Sequence, residues 1–429
     1  MEGEQVTPRV GVGAGERHRS PAPSGGTVQP LFPQLRPGPS KAPAAAAAHQ
    51  RARLHAAMIE ACARHGYAET KVREVAGLAG VSTKTLYKHF ESKEACFLAT
   101  YDLVVQQAIG RISAAHREAS GPEKVDWVGG LCRAFDGFTD ELVQRPAASR
   151  LALVDIFAAL PGAASRIDRA ELLFTTMISE SLALAPDGVV IPPRIVRALV
   201  GGIWFVARAR LLESRPRSLT AGSAELREWL LVYRSPASSR LPVARPGRQG
   251  SRHGDRALDV VAALERRRVD DAERPLAMLE WLSADALAEA LRETEAASSW
   301  AGGVCRAVES LFGRLASDSA LARAAFLDGF FVGPADAERR TAILRGFADV
   351  LIRRAPRDGR PSPLVAEAIV GSVWSIAHRS FLFGQARSLP ASSTRAAFLV
   401  LAPILGAEGA RAAILAERRG VAAGSKLIT

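Results

Sequence analysis

The stretch that decides the fold reads "ETKVREVAGLAGVSTKTLYKHFESKE", Glu69 to Glu94. Its apolar residues recur at helical spacing in two short runs, Val72, Val75, Ala76 and Ala79 and then Leu86 and Phe90, with Gly80 between them. Thr70 is placed to cap a helix over 71–79, Gly80 to supply a tight turn, and Ser82 to cap a second helix over 83–90. At about 100° per residue Leu86 and Phe90 point one way, while Lys84, Thr85 and Lys88 point the other. Two lysines at i, i+4 on an arbitrary helix are usually no more than a solvated face. Two short helices around a tight turn give that basic, hydrogen-bonding face a purpose: in a helix-turn-helix it is the face laid in the major groove of duplex DNA.

Outward toward the N-terminus, Leu54, Met58, Ile59 and Cys62 predict a preceding helix over 49–65, ended by Gly66 as its C-cap residue. Three helices then share one small core. The segment as a whole closely resembles the DNA-binding domain of the tetracycline-repressor (TetR) family of bacterial transcriptional regulators. The match covers about residues 50–100, with the small-residue turn, the Leu86-Tyr87 pair, the terminal Phe90 and the Ser92-Lys93-Glu94 that opens the next helix. The resemblance implies that Thr85, Tyr87 and Lys93 contact phosphates, that Thr83, Lys84, Lys88 and His89 reach bases or phosphates, and that Thr70 and Arg73 touch the groove edge; Lys71 and Ser82 complete the expected DNA-binding set. Lys84 stands where the family more often has Gly or Pro, which adds a cation able to pair with guanine acceptors.

The rest of the chain is consistent with an all-α protein and an anionic partner. Of 429 residues, 48% are hydrophobic and only 6% aromatic, and long stretches rich in Ala, Leu and Arg lack the alternation of strands. The formal charge of +12 favours nucleic acid without demanding it, since an Arg-rich genome gives the same excess. Residues 1–47, rich in Pro, Gly and Ala, are expected to be disordered, and Gly11, Gly13 and Gly15 follow no strand that would make them a dinucleotide fingerprint. The N-terminus lacks a basic region followed by an apolar one, and the most apolar helix candidate carries Arg197, Arg208 and Arg210, so neither a signal peptide nor a membrane span is expected and the reading is cytoplasmic. Cys62, Cys96, Cys132 and Cys305 show no CxxC spacing; no disulfide, metal or cofactor is expected.

Beyond the head the sequence repeats itself. "DWVGGLCRAFDGF" at Asp126 returns as "SWAGGVCRAVESL" at Ser299, which sets Trp127 against Trp300 and Cys132 against Cys305, an offset of 173; "RALVGGIWFVARARLL" returns as "EAIVGSVWSIAHRSFL", which sets Trp204 against Trp374, an offset of 170. A unit this long is a duplicated domain and not a solenoid repeat. The organisation that follows is a tail at 1–47, a helix-turn-helix domain at 48–95, a first helical regulatory domain at 96–233, a linker at 234–254, a second regulatory domain without a reader head at 255–412, and a tail at 413–429. The family resemblance implies that the last two helices of a regulatory domain pair with those of another. Here these fall at about 193–212 with 224–233 and at about 363–383 with 394–405, so self-association is expected, either as an intrachain pseudo-dimer or as a homodimer.

A pocket for a small apolar effector is expected among Phe135, Phe138, Phe157, Phe174 and Met177, with Phe312, Phe326, Phe330, Phe331, Phe347 and His378 in the second copy, although a stripe at helical spacing is more often core. No catalytic constellation is present: there is no HExxH, GxSxG or P-loop, and the eight histidines are scattered. The reading is therefore a DNA-binding regulator, a ligand-responsive repressor reading an operator half-site through 83–90. An interaction scaffold with a vestigial head, or a cryptic enzyme in the second copy, is the alternative.

Overall fold

The computed structural model describes residues 43–119, 127–242, 274–317, 322 and 334–426; among these residues every regular element is a helix. The head is α1 (Pro43–Glu69), α2 (Val72–Leu78) and α3 (Thr83–His89). Leu54, Met58, Ala61 and Cys62 on α1, Val75 on α2 and Leu86 on α3 are all fully buried, so the spacing read from the sequence does build one core. Gly80 makes the turn at a φ of +60°, where a side chain would be strained, and the backbone closes it with Gly80 N–H donating to Gly77 O at 2.9 Å and Val81 N–H to Ala76 O at 3.0 Å. Ser82 caps α3 as expected, its hydroxyl accepting from Thr85 N–H at 3.1 Å.

Three sequence expectations are corrected. Thr70 does not cap α2: Lys71 stands at that position without a side-chain bond, and the Thr70 hydroxyl turns back to donate to Gly66 O at 2.8 Å. Gly66, at a φ of +78°, breaks α1 without ending it, so the helix runs on to Glu69 in a second orientation. Helix α3 stops at His89, and Phe90 is already extended, which lets its ring reach the core.

The body follows as α4 (Lys93–Ala119), α5 (Trp127–Gln144), α6 (Pro146–Leu153), a 3-10 turn at Asp155–Ala159, α7 (Ala164–Ala183), α8 (Pro193–Leu212), α9 (Arg217–Val232) and the short α10 (Pro236–Ser239). Then come α11 (Arg274–Ala296), α12 (Trp300–Ser317), α13 (Pro334–Arg354), α14 (Pro363–Leu382) and α15 (Ser393–Lys426). The helix limits fall at the spacing of the sequence repeat, α12 beginning at Trp300 as α5 begins at Trp127, and α14 spanning the same 20 residues as α8. Helix α15 runs through 413–426, which the sequence reading left as tail, after a break at Gly406. Of the expected linker, Arg234–Pro242 packs as α10 and its flanks; the remainder, like most of the expected N-terminal tail, lies outside the described residues.

The most extensive helix pairing joins α8 to α14. A side chain at Gly201 would run into Ser375, and one at Gly371 would lie 2.5 Å from Phe205 Cβ, so small residues are what let these two helices approach. Helix α15 is apolar and long enough to cross a membrane by those measures alone, but Phe398, Leu399, Leu401 and Ala402 are fully buried within the fold. It is a core helix here.

Candidate nucleic-acid interface and ligand cavities

Helix α3 is held by one side and free on the other. Leu86 and Phe90 are buried, whereas Ser82, Thr83, Lys84, Tyr87 and Lys88 are exposed. Tyr87, at 54% exposure, is a large ring with no part in the core. Lys71 and Arg73 are also exposed, at the start of α2. The sequence reading missed further groups on α1 that the fold brings to this region. The Arg53 guanidinium lies against the Gly80 turn, Arg51 sits 6.0 Å from the Phe90 ring, and Gln50 Oε1 bonds His89 Nε2 at 2.9 Å. Burial and the neighbouring Arg51 and Lys88 hold the His89 imidazole below its usual range, which favours the neutral form. Nothing in the spacing of α1 residues marks them, because only the tertiary turn sets α1 beside α3.

Other residues of the expected DNA-contact set have internal partners. The Lys93 ammonium donates to Tyr67 O at 3.1 Å, Ala68 O at 3.3 Å and Thr70 O at 3.1 Å, and lies 4.4 Å from the Tyr67 ring centre. It satisfies the C-terminal carbonyls of α1, where a cation is favoured. Thr70 is buried, and the Thr85 hydroxyl is 2.9 Å from that of Ser82.

The head is joined to the body by two buried titratable groups. His55 Nδ1 meets Thr100 Oγ1 of α4 at 2.8 Å and its ring packs edge-on to Phe90; burial, and then Arg51, lower its pKa to about 4. Asp155, in the 3-10 turn, lies beside the Gly66 break of α1. Burial raises its carboxyl to about 7, only partly opposed by Arg150 at 4.0 Å.

Apolar cavities occupy both halves of the body. One of about 190 Å³ lies in the second half between α11, α12, α13 and α14, walled by Leu282, Trp300, Leu311, Phe312, Phe347 and Trp374 among others. Its first-half counterparts are smaller, about 50 Å³ beside Tyr101, Phe138, Phe174 and Trp204 and about 30 Å³ beside Phe135, Phe138, Phe174 and Met177. There Phe138, Phe174 and Trp204 pack edge to face with ring centres 6.1 and 5.5 Å apart and fill the space. The repeat puts Leu311 where the first half has Phe138, and the second cavity stays open. Phe157 and His378 line none of these apolar cavities; they face each other at 5.6 Å in a separate cleft between the two halves, with Arg208 stacked 3.9 Å over Phe157. Burial, followed by Arg208 and Arg340, lowers His378 to about 3. Phe326, Phe330 and Phe331 lie outside the described residues.

A three-helix head that presents a polar, cationic helix beyond a tight turn defines a helix-turn-helix DNA-binding protein. Residues 54–100 match the family model described as bacterial regulatory proteins, tetR family. That segment is a tetR-family DNA-binding domain, the mark of a DNA-binding regulator of transcription. Among solved structures it is similar to the transcriptional regulator FadR from Bacillus subtilis in complex with stearoyl-CoA (18% identity, 42% of this chain and 96% of that one, TM-score 0.37). It is also similar to NalD of Pseudomonas aeruginosa, the secondary repressor of the MexAB-OprM efflux pump (18%, 42% and 94%, TM-score 0.34), and to a TetR-like regulator from Rhodococcus sp. RHA1 (21%, 42% and 95%, TM-score 0.32). No curated protein matches the chain.

Proposed function

We propose that this protein is a cytoplasmic, ligand-responsive repressor whose head reads an operator half-site through α3, and whose second, headless helical domain receives a small apolar effector. The observation that carries the DNA-reading part is the division of α3 into a buried side, Leu86, and an exposed side, Thr83, Lys84, Tyr87 and Lys88. Thr83 and Lys84, at the N-terminal end, are the base-reading candidates. Tyr87 and Lys88, with Lys71, Arg73, Arg51 and Arg53, are the phosphate-facing ones. Ser82, Thr85, Thr70, His89 and Lys93 support the head and hold α3 at its angle.

The effector part rests on the cavity of about 190 Å³ and its wall of Leu, Val, Phe and Trp side chains. An apolar cavity of about 150 Å³ is already enough to take benzene. Trp374 borders both that cavity and the cleft holding His378 and Phe157, and Phe157 is two residues from Asp155 at the Gly66 break of α1. That run of packed groups is the proposed route from effector to head.

The test uses a duplex selected for the protein, with fluorescence anisotropy across a salt series. Lys84→Ala is expected to cost about 1 to 3 kcal/mol on the selected site and to relax its sequence preference. Lys93→Ala is expected to lower the thermal midpoint and leave the salt slope within about half a unit of the wild type, because its ammonium is already committed to α1 carbonyls. A Lys93 variant that keeps its midpoint and loses about one unit of slope would return Lys93 to the phosphate contacts.

A further inference from the structure

The contact between α8 and α14 is nearly symmetric in shape and wholly asymmetric in charge. With the repeat offset of 170, Gly201 pairs with Gly371, Gly202 with Ser372, and Phe205 with Ser375. The contacts obey the same exchange: Gly201 faces Ser375 while Gly371 faces Phe205, and Gly202 faces its own counterpart Ser372. The two halves therefore meet about an internal twofold axis passing between Gly202 and Ser372.

The ion pairs across that axis do not obey the exchange. Arg210 Nη1 lies 3.0 Å from Glu367 Oε2, Arg379 Nη1 lies 3.1 Å from Glu171 Oε2 and also pairs with Asp168, and Arg345 pairs with Glu213. The counterpart of Glu367 is Arg197, that of Arg210 is Ser380, that of Arg379 is Ala209, and those of Glu213 and Arg345 are Phe383 and Leu172. Two first halves placed on this axis would set Arg210 against Arg197 and leave Asp168 and Glu171 facing Ala209. Two second halves would set Glu367 against Ser380 and Arg345 against Phe383. Each of these cross-axis ion pairs forms only when a first half meets a second half.

We infer that this interface is charge-coded for the chain's own second domain, so that the protein closes on itself as a pseudo-dimer and does not pair with another chain through α8 or α14. Arg210 against Arg197 disfavours pairing of two first halves and two second halves lack these ion pairs, while covalent linkage in one chain keeps the matched half at high effective concentration. Each particle then brings a single reader head to DNA. The inference does not depend on what the head reads, and its readout is mass in solution.

The experiment is sedimentation velocity of the full chain over about a hundredfold range of concentration, with thermal midpoints measured alongside. The wild type is expected to sediment at the mass of one chain, 45.6 kDa, throughout. Arg210→Glu sets two carboxylates together inside the chain and, between chains, sets Glu against Arg197. It is expected to lower the midpoint and to strengthen chain dimerisation at least about tenfold. Adding Glu367→Arg restores an opposite-charge pair with position 210 but sets Arg beside Arg345, so it should recover single-chain mass and part of the midpoint. Arg379→Ala, on a partly exposed side chain, removes two cross-axis pairs without inserting a like charge and should shift both readouts in the direction of Arg210→Glu. A wild type of two-chain mass overturns the inference, as do Arg210→Glu and Arg379→Ala variants that both keep single-chain mass and the wild-type midpoint.

Discussion

Asp155 is the residue whose chemistry depends most on where the fold puts it. Its carboxyl is buried at the join of head and body, with Oδ2 lacking a hydrogen-bond partner and Arg150 at the edge of reach. The folded pKa of about 7 stands above the ordinary 3.8, so folding favours the protonated form. That stability is fully present below pH 3.8 and is lost as pH rises through about 7. His55 runs the other way: with a folded pKa of about 4 against 6.5, it contributes stability that is present above 6.5 and is lost as pH falls through about 4. Asp155→Asn separates the two. The variant is expected to match the wild type near pH 4 and to exceed it at pH 8, by a few kcal/mol at about 1.4 kcal/mol per pKa unit, read from thermal or urea unfolding at each pH. Equal stability at both pH values would mean that Asp155 is ionised and well paired in the folded protein.

Among the elements, α12 and α5 make the sharpest comparison. Both are 18-residue amphipathic helices opening on Trp, yet α5 packs Phe138 into a ring cluster and α12 offers Leu311 to an open cavity. Leu311→Phe should transplant the filler. It is expected to weaken binding of an apolar fluorescent dye at least about tenfold and to change stability by less than about 1.5 kcal/mol, as volume is added where space exists. Undiminished dye binding would place the dye, and the proposed effector site, elsewhere. The element scale also shows how far helical spacing could be read. The apolar stripes of α1, α2 and α3 gave the three-helix core, and the limits of α8 and α14 match their predicted starts. The fate of Thr70 did not follow from its type, because a hydroxyl before a helix can accept from the helix or donate backward, and only the Gly66 break set Gly66 O within 2.8 Å.

For the whole molecule, effector and DNA should be coupled reciprocally. A ligand in the second-domain cavity is expected to change operator affinity by a coupling free energy of about 1 to 3 kcal/mol, with DNA changing ligand affinity by the same factor. Phe157→Leu interrupts the stack of Arg208, Phe157 and His378 between the halves. Titrations of each ligand with and without the other should show that factor falling toward one, while each separate affinity stays within about threefold of wild type. Coupling that survives intact would route the signal through α4 instead.

The sequence by itself determined the helical class, the reader head and the 173- and 170-residue offsets. These rest on local periodicity, turn chemistry and self-similarity, which a chain carries whether folded or not. It also supplied the aromatic residues of the body, but not their division: Phe135, Phe138, Phe174 and Met177 fill the first half, Phe347 walls the open cavity, and Phe157 and His378 meet between the halves. Tertiary structure alone decided that Lys93 is spent on α1 carbonyls, that Arg53 stands by the α2–α3 turn, and that Arg210 finds Glu367 across 157 residues of chain. A charged side chain has several possible partners of equal chemistry, and which one it takes is set by distance and burial, quantities that do not exist until distant segments are packed together.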